Sequence, residues 1–481
     1  CMTQPPSAAL LNRLADLLGP KGFTRDPDDM APWLTDWRGR YRGQAAAMLS
    51  PANRDEVAAV VRLCAAEQVA IVPQGGNSGM VGGATPDATG NQLLLSLRRM
   101  NRIRDIDVAA GLAIVEAGVV LEHLHGAALA HGLRFPLTLG GKGSATVGGL
   151  VSTNAGGTQV LRFGTMRALV EGVEAVLPDG EILDALAPLK KDNRGYDLRH
   201  LFCGAEGTIG VVTAATLRLV PAAAARCTAW IGLASPDDAL RLLRRLDAAL
   251  GRTLEGFELI PATCLQAVLR HIPQTRAPLA ASDPWYALVE LAGDDDQVLT
   301  EALESSLAKA IEDGLIRDVA IAKNENESEQ FWRLRDSISE AERAEGPALQ
   351  HDISVPVDRM PQFIAENPAR LDTAFPGTRA LSFGHLGDGN VHHHVQPPVG
   401  VDGRAWIAAH GEDASRIVYT HVLELGGSIS AEHGIGQMKR EMLAELDSPA
   451  RLSALRAVKE GLDPLGLFNP GKLVAPKASL A

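Results

Sequence analysis

Residues 73–83 read Pro-Gln-Gly-Gly-Asn-Ser-Gly-Met-Val-Gly-Gly, and they directly follow the apolar run Ala70-Ile-Val. The apolar run predicts a short strand, and the glycines after it predict a loop whose backbone turns sharply or approaches a ligand closely. Such a loop carries many backbone N–H donors, which can surround a pyrophosphate and cancel its charge. The alternative interpretation is a tight turn that binds nothing.

Further glycine-rich stretches lie at separate positions, and their number favours the ligand-binding interpretation. They are Leu139-Gly-Gly-Lys-Gly-Ser-Ala-Thr-Val-Gly-Gly149, Thr153-Asn-Ala-Gly-Gly157 and Gly204-Ala-Glu-Gly-Thr-Ile-Gly210. The G-x-G-x-x-G fingerprint of dinucleotide-binding folds is absent after any predicted strand. The segment 466–472 imitates a phosphate-binding Walker loop, but Leu473 stands where that loop needs a magnesium-binding hydroxyl. Both of these nucleotide-binding classes are therefore excluded.

Composition narrows the class of protein further. A length of 481 residues predicts two or three domains, and 46% hydrophobic with 22% charged residues is typical of a globular chain. A net charge of -12 argues against nucleic-acid binding, which needs a basic face. The sequence has no apolar run long enough to span a membrane. The cysteines are scattered without Cys-x-x-Cys spacing, so we expect reduced thiols and a cytoplasmic location.

A histidine-rich stretch, Ser382-Phe-Gly-His-Leu-Gly-Asp-Gly-Asn-Val-His-His-His-Val395, is the sharpest local signal of chemistry. Two glycines between His385 and His392 allow a turn that brings these imidazoles together. In a strand over 391–395, His392 and His394 share one face and His393 takes the other. The later Ser430-Ala-Glu-His-Gly-Ile-Gly436 adds a carboxylate, and two imidazoles with a carboxylate form a zinc-type ligand set. The alternatives are buried histidines that only pack, and Asp388 as a further ligand.

The glycine-rich stretches, with Leu161-Arg-Phe-Gly164 and Asp192-Asn-Arg-Gly-Tyr-Asp-Leu198, resemble in order the motifs of the vanillyl-alcohol-oxidase (PCMH-type) flavoprotein superfamily. Within it the chain is most similar to the D-2-hydroxyglutarate and D-lactate dehydrogenase group. The resemblance implies an α+β fold with a PCMH-type FAD-binding domain of two α+β subdomains at 1–221. It also implies a substrate-binding or cap domain at 222–430, with an antiparallel sheet, flanking helices and a metal site. A C-terminal helical segment, 431–481, would pack back on the FAD domain.

The resemblance implies FAD as the cofactor. Some relatives carry a histidine in the first glycine loop that bonds covalently to the flavin, whereas this chain has Asn77 and Ser78 there, so we expect non-covalent FAD. The residues that match the cofactor-binding motifs are Pro73, Gln74, Gly75, Gly76, Asn77, Ser78, Gly79, Met80, Gly82, Pro136, Leu139, Gly140, Gly143, Ser144, Val147, Gly148, Asn154, Gly156, Gly157, Arg162, Gly164, Glu206, Gly207, Ile209, Gly210 and Asn469.

The resemblance also assigns the metal ligands and the catalytic base. It implies that His385, His392 and Glu432 hold a divalent metal, with zinc expected, and that His433 is the base. Asp388 does not match a ligand and is expected to brace the turn.

The same resemblance assigns the substrate-binding residues. The resemblance implies that Arg335 binds the substrate carboxylate, because a planar guanidinium group can pair with both carboxylate oxygens. Arg333 is the second candidate. Ser339 stands at a threonine position of the family and keeps the hydroxyl. The substrate-binding set is completed by Gln350, where D-2-hydroxyglutarate enzymes carry a lysine, and by His394, where they carry an asparagine.

These assignments predict oxidation of a D-2-hydroxy acid to the 2-oxo acid, with hydride passing from C2 to flavin N5. The best candidate reaction converts D-2-hydroxyglutarate to 2-oxoglutarate. D-lactate or D-malate dehydrogenase and a glycolate-type oxidase are the alternatives on the same fold. A zinc hydrolase and a flavin-free binding protein are the competing classes. The expected partners are a small 2-hydroxy acid, an electron-transfer flavoprotein or quinone as acceptor, and a second copy of the chain in a homodimer.

Overall fold

The structure is a computed structural model that describes residues 4–475, and these residues divide into two units. Unit 1 contains residues 4–157, 164–222 and 432–475, whereas unit 2 contains 158–163 and 223–431. The chain therefore passes between the units four times, and the last passage falls between Ala431 and Glu432.

The first sheet of unit 1 has four strands, and it carries the strand that leads into the first glycine loop. Ile71–Gln74 pairs in parallel with Leu93–Ser96, which pairs in parallel with Ala47–Leu49. Phe23–Thr24 completes the sheet by antiparallel pairing. The strand before the glycine loop is thus confirmed. It lies at the edge of this sheet, and Ile71, Val72 and Gln74 are buried.

The second sheet of unit 1 has five strands and is antiparallel throughout. Its order is Ile103–Asp107, Leu112–Glu116, Val211–Arg218, Val170–Val176, Ile182–Ala185. Apolar runs over 113–117, 170–177 and 210–220 predict strands. They are observed here with ends shifted by one or two residues, except that the last ends at Arg218 and a separate short strand follows. That short strand, Val220–Pro221, pairs with Leu133–Arg134.

Several helices of unit 1 begin at a side-chain cap. Asn53 caps the helix Arg54–Ala66 by accepting from the Glu56 backbone N–H at 2.9 Å, as the capping-box spacing indicates. The Glu56 carboxylate accepts from the Ala52 N–H at 2.8 Å. The other helices of unit 1 are Ala8–Gly22, Pro27–Met30, Leu121–Leu129, Val147–Thr153, Met166–Leu169, Leu198–Phe202, Arg440–Leu446 and Pro449–Leu462, with a 3₁₀ turn at Ala31–Trp33.

The end of the described chain returns to the first sheet of unit 1. Phe468 forms a parallel bridge with Ile71, and the Asn469 backbone N–H donates to the Ile71 carbonyl at 2.8 Å. Leu467 and Phe468 are buried in the same apolar cluster as Ile71 and Leu93. This pairing places Asn469 beside the strand that enters the first glycine loop.

Unit 2 is built on one seven-stranded antiparallel sheet, as the fold prediction requires. Its order is Asp318–Ile321, Ala225–Leu233, Trp285–Gly293, Leu254–Pro261, Arg379–His385, Asn390–Gln396, Leu349–Ser354. The predicted strand over 391–395 is confirmed as the sixth in this order. Neighbouring strands in the sheet come from distant parts of the chain, so residues far apart in sequence become cross-strand partners.

The helices of unit 2 flank this sheet. Apolar residues at helical spacing predict helices over 237–250 and 296–313. These helices are observed as Pro236–Leu250 and Asp296–Glu312. The remaining helices are Val160–Phe163, Ala262–His271, Glu325–Asp336, Ile338–Glu345, Met360–Ala374 and Gly403–Glu424, with 3₁₀ turns at Gly251–Thr253 and Val357–Arg359. Within residues 4–475, no helix combines the length and the apolar character needed to cross a bilayer.

Candidate active site

The first two glycine-rich stretches lie against each other in unit 1. A Cβ added to Gly76 would lie 1.6 Å from the Ser144 carbonyl oxygen, and one added to Gly75 would lie 2.3 Å from Thr146 Oγ1. These two positions therefore require glycine, because the backbone of one loop contacts the other without room for a side chain. The loops that the sequence assigns to one cofactor are thus brought together.

Two side chains hold the first glycine loop in place. Gln74 Nε2 donates to the carbonyl oxygens of Trp33 and Ala84, both at 2.9 Å. Asn77 adopts a left-handed backbone with φ of 53°, and its Nδ2 donates to the Thr35 carbonyl at 2.8 Å. The amide nitrogens of both side chains therefore shape the loop.

The glycine loops and the unsatisfied polar atoms beside them fit a polar ligand such as a flavin dinucleotide. Two buried acceptor-capable atoms, Gln74 Oε1 and Thr146 Oγ1, have no hydrogen-bond partner among the described residues. Buried polar atoms normally have partners, so unsatisfied ones beside a glycine-lined contact indicate space for a polar ligand. All the predicted cofactor-binding residues except Arg162 belong to unit 1.

Arg162 and Glu206 already have protein partners. Arg162 belongs to unit 2, where Nη1 donates to Glu255 Oε1 at 2.5 Å and to the Ala292 carbonyl at 3.1 Å. The two Glu206 carboxylate oxygens accept backbone N–H groups from Ile435 and Gly436 in unit 1. A direct cofactor contact by either side chain stays a prediction.

One face of the unit 2 sheet collects most of the predicted metal and substrate residues. His392 is paired across strands with Asp352 and Phe383, and His394 is paired with Gln350. Cross-strand partners project from the same face of a sheet, and so do alternate residues along one strand. The shared face, which we call the histidine face, therefore carries Glu258, Gln350, Asp352, Phe383, His385, His392 and His394.

His385 is held by two charged side chains on the histidine face. Its Nδ1 lies 2.5 Å from Glu258 Oε1, and Arg335 Nη2 lies 3.2 Å from its Nε2. The carboxylate can only accept and the guanidinium can only donate, so both contacts favour the tautomer with the proton on Nδ1. Arg335 Nε also donates to Glu258 Oε2 at 2.8 Å, which closes a triad of three side chains.

Burial and two hydrogen-bonding partners set the charge state of Glu258. Glu258 is 1% exposed, and burial alone would raise the pKa of its carboxyl group. The positive charge of Arg335 and the hydrogen bond from His385 outweigh that effect, and they hold the pKa of Glu258 well below its ordinary value. The ionised carboxylate can therefore accept from both partners.

His392 stands close enough to His385 to share a ligand. The two ring centroids are 5.5 Å apart, and one ring nitrogen of each lies within 4.8 Å of the other. His392 Nδ1 lies 4.0 Å from Asp352 Oδ1, which also accepts from Asn390 Nδ2 at 2.9 Å. A carboxylate behind each imidazole is the arrangement that orients histidine ligands of metal ions.

His394 has an acidic neighbour from a different element. Its Nδ1 lies 2.5 Å from Glu342 Oε2 of the helix Ile338–Glu345, and both side chains are buried. Gln350, the cross-strand partner of His394, occupies the neighbouring strand on the same face. The two positions at which this chain departs from the resembled enzymes are therefore adjacent.

His393 points to the opposite face, as the pleat predicts. Its Nδ1 lies 2.8 Å from Ser382 Oγ, and its ring packs edge-on against Phe363 at 5.1 Å between centroids. The rings of His392 and His394 instead contact Phe383, at 5.2 and 5.4 Å. Burial holds the pKa of His393 well below its ordinary value, so this imidazole is neutral.

The remaining predicted residues are placed as follows. Ser339 is exposed on the helix Ile338–Glu345. Asp388 Oδ1 accepts from the Asn390 backbone N–H at 3.0 Å, a contact that braces the turn. Glu432 and His433 are the first residues of the last segment of unit 1. The preceding residue, Ala431, donates its backbone N–H to the Asp352 carbonyl at 3.4 Å within unit 2.

Glu258, Glu342 and Asp352 are the site residues that the motifs did not single out. Each is a buried carboxylate within 4.0 Å of a predicted histidine. A signal exists for Glu258, since it interrupts the apolar strand Leu254–Pro261, all of which is buried. A charge in such a strand needs a partner, but the sequence does not tell which one.

Comparison with known proteins agrees with this geometry. Residues 222–473 match the family described as FAD linked oxidases, C-terminal domain, and residues 45–186 match the FAD binding domain family. A solved 4-ethylphenol oxidase from Gulosibacter chungangensis shares the fold, with a TM-score of 0.73 and 19% identity over 100% of both chains. The predicted α+β flavoprotein fold is thereby confirmed.

Curated proteins similar to this chain include D-2-hydroxyglutarate dehydrogenases. The mitochondrial D-2-hydroxyglutarate dehydrogenase of Arabidopsis thaliana is 35% identical over 463 residues, covering 95% of this chain and 80% of the relative. The D-2-hydroxyglutarate dehydrogenase of Xanthomonas citri pv. viticola is 37% identical over 448 residues, covering 93% of each chain. The chain therefore belongs to the family of FAD-linked oxidases that includes the D-2-hydroxyglutarate dehydrogenases.

Proposed function

We propose that this protein oxidises D-2-hydroxy acids to 2-oxo acids with FAD and a divalent metal, and that D-2-hydroxyglutarate is its preferred substrate. The observation that carries the proposal is the histidine face, where Arg335 lies beside His385, which is bound to Glu258 and lies next to His392. A cation that can bind a carboxylate next to potential metal ligands suits a substrate with neighbouring carboxylate and hydroxyl groups. The relatives named D-2-hydroxyglutarate dehydrogenase support the same substrate.

The metal ligands in this proposal are His385, His392 and Glu432. The tautomer of His385 supports its role, because the proton on Nδ1 leaves the Nε2 lone pair for a metal ion. Glu432 follows Ala431 directly, and Ala431 bonds to the backbone of Asp352, the cross-strand partner of His392. A divalent metal held here would supply a Lewis acid for the 2-hydroxyl group.

Arg335 binds the C1 carboxylate of the substrate. Its Nε is held by Glu258, which limits the orientations of the guanidinium and lowers the entropy lost on binding. Its Nη2 donor, which faces His385 Nε2 here, turns to the substrate carboxylate when that nitrogen binds metal. Ser339 adds a hydroxyl in the neighbouring helix.

His433 takes the proton of the 2-hydroxyl group. Imidazole suits this step because its ordinary pKa lies near neutrality. Bound FAD supplies the acceptor for the hydrogen at C2. Gln350 and His394 meet the far end of the substrate, where two adjacent polar side chains favour a second carboxylate over a methyl group.

The competing function is a flavin oxidase on the same fold, a class supported by the likeness to 4-ethylphenol oxidase. The acceptor we propose for the dehydrogenase is an electron-transfer flavoprotein or a quinone, and the assembly is a homodimer. Several relatives are named as mitochondrial, which differs from the expected cytoplasmic location.

The proposal is tested by removing the metal from the yellow protein. Chelation should abolish turnover of D-2-hydroxyglutarate with an artificial acceptor, while the flavin spectrum is unchanged because the ligands belong to other segments. Zinc or another divalent ion should restore the rate. Full activity in protein shown by elemental analysis to be metal-free would refute the metal assignment, and rapid reoxidation of the reduced flavin by air would favour the oxidase.

A further inference from the structure

Glu206 is a buried acid whose side chain binds backbone rather than another side chain. It is 8% exposed, and its Oε1 and Oε2 accept from the N–H groups of Ile435 and Gly436, each at 2.7 Å. Charge-assisted hydrogen bonds of this length are among the stronger ones in proteins. All of these residues lie in unit 1, and the bonded segment begins two residues after His433.

The backbone of Glu206 is itself fixed in an unfavourable conformation. Its φ is 51°, in the left-handed region that residues with a Cβ rarely adopt. Its N–H donates to the Ser152 carbonyl at 2.7 Å, and its carbonyl accepts from Asn469 Nδ2 at 2.7 Å. A strained residue persists only where its surroundings hold it, and such residues cluster at functional sites.

Burial makes the two hydrogen bonds of Glu206 important. Burial raises the pKa of Glu206, while its two N–H donors and the positive charges of Lys439 and Lys472 oppose that effect. Both lysines are buried, and burial lowers the pKa of Lys472 to about 8. A buried carboxyl group without hydrogen-bond partners would be costly, and the two N–H donors supply those partners.

The segment bound by Glu206 is also tied to the first glycine loop. Gln437 Nε2 donates to the Gly82 carbonyl at 2.9 Å, and the Gln437 backbone N–H donates to the Val81 carbonyl at 3.2 Å. Asn469 Nδ2 bridges the Gly83 carbonyl, at 2.8 Å, and the Glu206 carbonyl. Glu206, the glycine loop and residues 434–438 therefore form one hydrogen-bonded network.

We propose that Glu206 is a positioning residue, whose side chain fixes residues 434–436 and thereby holds Glu432 and His433 in register with the first glycine loop. This role rests on the proposed function of Glu432 and His433. It differs from a flavin contact, because both carboxylate oxygens are occupied by backbone donors. The network further implies that ordering of the glycine loop by the cofactor and ordering of the Glu432–His433 segment are coupled.

The coupling predicts a specific kinetic signature. Replacing Glu206 should displace the base and a metal ligand without touching Arg335 or Gln350. Glu206→Gln should therefore lower the rate of flavin reduction by roughly 10-fold or more, since it weakens two buried charge-assisted bonds. The KM for substrate should change much less, and the flavin content per chain should stay at the parent level.

The test compares Glu206→Gln with Glu116→Gln in the FAD-loaded full chain. Glu116 is the matched control, because it is a buried acid of unit 1 that accepts from the Arg102 backbone N–H at 3.0 Å but has no contact with residues 434–438. Hydrogen exchange of a peptide spanning 432–438 should accelerate in Glu206→Gln and stay unchanged in Glu116→Gln. Loss of FAD from Glu206→Gln with parent-like exchange in 432–438 would overturn the proposal.

A milder variant covers the case in which Glu206→Gln does not fold. Gln437→Met removes only the bond to the Gly82 carbonyl, so it should give the same acceleration of exchange with a smaller loss of rate. Parent-like exchange and rate in Gln437→Met would contradict the coupled network. The exchange measurement requires no substrate, so it still decides the role of Glu206 if D-2-hydroxy acids fail to reduce the flavin.

Discussion

The guanidinium group of Arg335 makes two contacts at once, which the single ammonium group of a lysine could not reproduce. Its Nε is bound to Glu258 and its Nη2 lies beside His385, so one planar group connects the buried acid to the candidate metal ligand. The neighbouring Arg333 is exposed, and its Nη2 donates to the Pro273 carbonyl at 2.9 Å. The structure thus separates two arginines that sequence spacing alone leaves as alternatives.

Arg335→Ala should lower kcat/KM for D-2-hydroxyglutarate by roughly 10- to 100-fold, with both kcat and KM affected, because the lost ion pair exists in ground and transition states. Arg333→Ala is the matched control from the same helix, and its kinetics should match the parent. Steady-state kinetics with an artificial acceptor measures both. A larger loss in Arg333→Ala would exchange the two roles.

Glu258 gives the site a pH dependence of stability with a definite sign. Its folded pKa is depressed, so its stabilising contribution is complete above the unfolded value near 4.5 and is lost as pH falls below that value. Glu258→Gln should therefore destabilise the protein most above pH 5. This difference in unfolding free energy should shrink by about 1 kcal/mol between pH 5.5 and 3.5.

Urea unfolding of the parent and of Glu258→Gln across this pH range measures the effect. Glu116→Gln is not a suitable reference, since the pKa of Glu116 is lowered as well. Glu181→Gln, a substitution at an exposed position, provides the control. A destabilisation by Glu258→Gln that is constant from pH 5.5 to 3.5 would show that the carboxylate is not held ionised.

At the scale of elements, the strand Asn390–Gln396 determines which histidines can reach the same ligand. Its pleat places His392 and His394 on the histidine face and His393 against Phe363 on the other. Consecutive histidines in one sequence therefore have different environments. The glycines on either side of Asp388 allow the preceding strand to turn back, which brings His385 next to His392.

This arrangement predicts unequal effects of neighbouring substitutions. His392→Ala should abolish stoichiometric metal binding, whereas His393→Ala should retain the metal and lose stability instead. His393 is fully buried and packed, so its truncation leaves a cavity that costs about 2–4 kcal/mol. Elemental analysis after dialysis, together with thermal unfolding, distinguishes the two effects. Metal loss in His393→Ala at parent-like stability would contradict the assignment of faces.

The sequence predicts elements well and side-chain partners poorly, for a physical reason. Periodicity and capping are local, so the helix Arg54–Ala66 and the strand Asn390–Gln396 follow from neighbouring residues. The contact between Glu258 and His385 joins residues 127 positions apart, and it exists only because their strands are adjacent in the sheet. Strand order is a property of the whole unit, which local patterns do not encode.

The same limit applies to Glu206 and Arg162. Their motifs resemble cofactor-binding segments, so sequence reasoning assigns both side chains to FAD. The structure shows partners that the motifs do not predict, namely two backbone donors for Glu206 and Glu255 for Arg162, and contact of either side chain with FAD stays a prediction. The residues of a motif can therefore serve contacts within the protein as well as ligand binding.

At the scale of the whole molecule, the glycine loops and the histidine face belong to different units. The glycine loops belong to unit 1, while Arg335, His385, His392 and the carboxylates behind them belong to unit 2. The last passage of the chain between units falls directly before Glu432, so the residues proposed as ligand and base are the first residues of the last segment of unit 1. Unit 1 contains both segment 4–157 and segment 432–475. The C-terminal motif accordingly pairs with the first sheet, where Phe468 bridges to Ile71.

The central claim is that a D-2-hydroxy acid reduces the bound flavin of this protein. Anaerobic titration of the yellow protein with D-2-hydroxyglutarate, D-malate, D-lactate and their L enantiomers measures it directly, by the loss of the visible flavin band. We predict rapid bleaching by the D acids, with the two dicarboxylates ahead of D-lactate, and little by the L acids. Preferential bleaching by an L acid, or no bleaching by any of the six, would contradict the account.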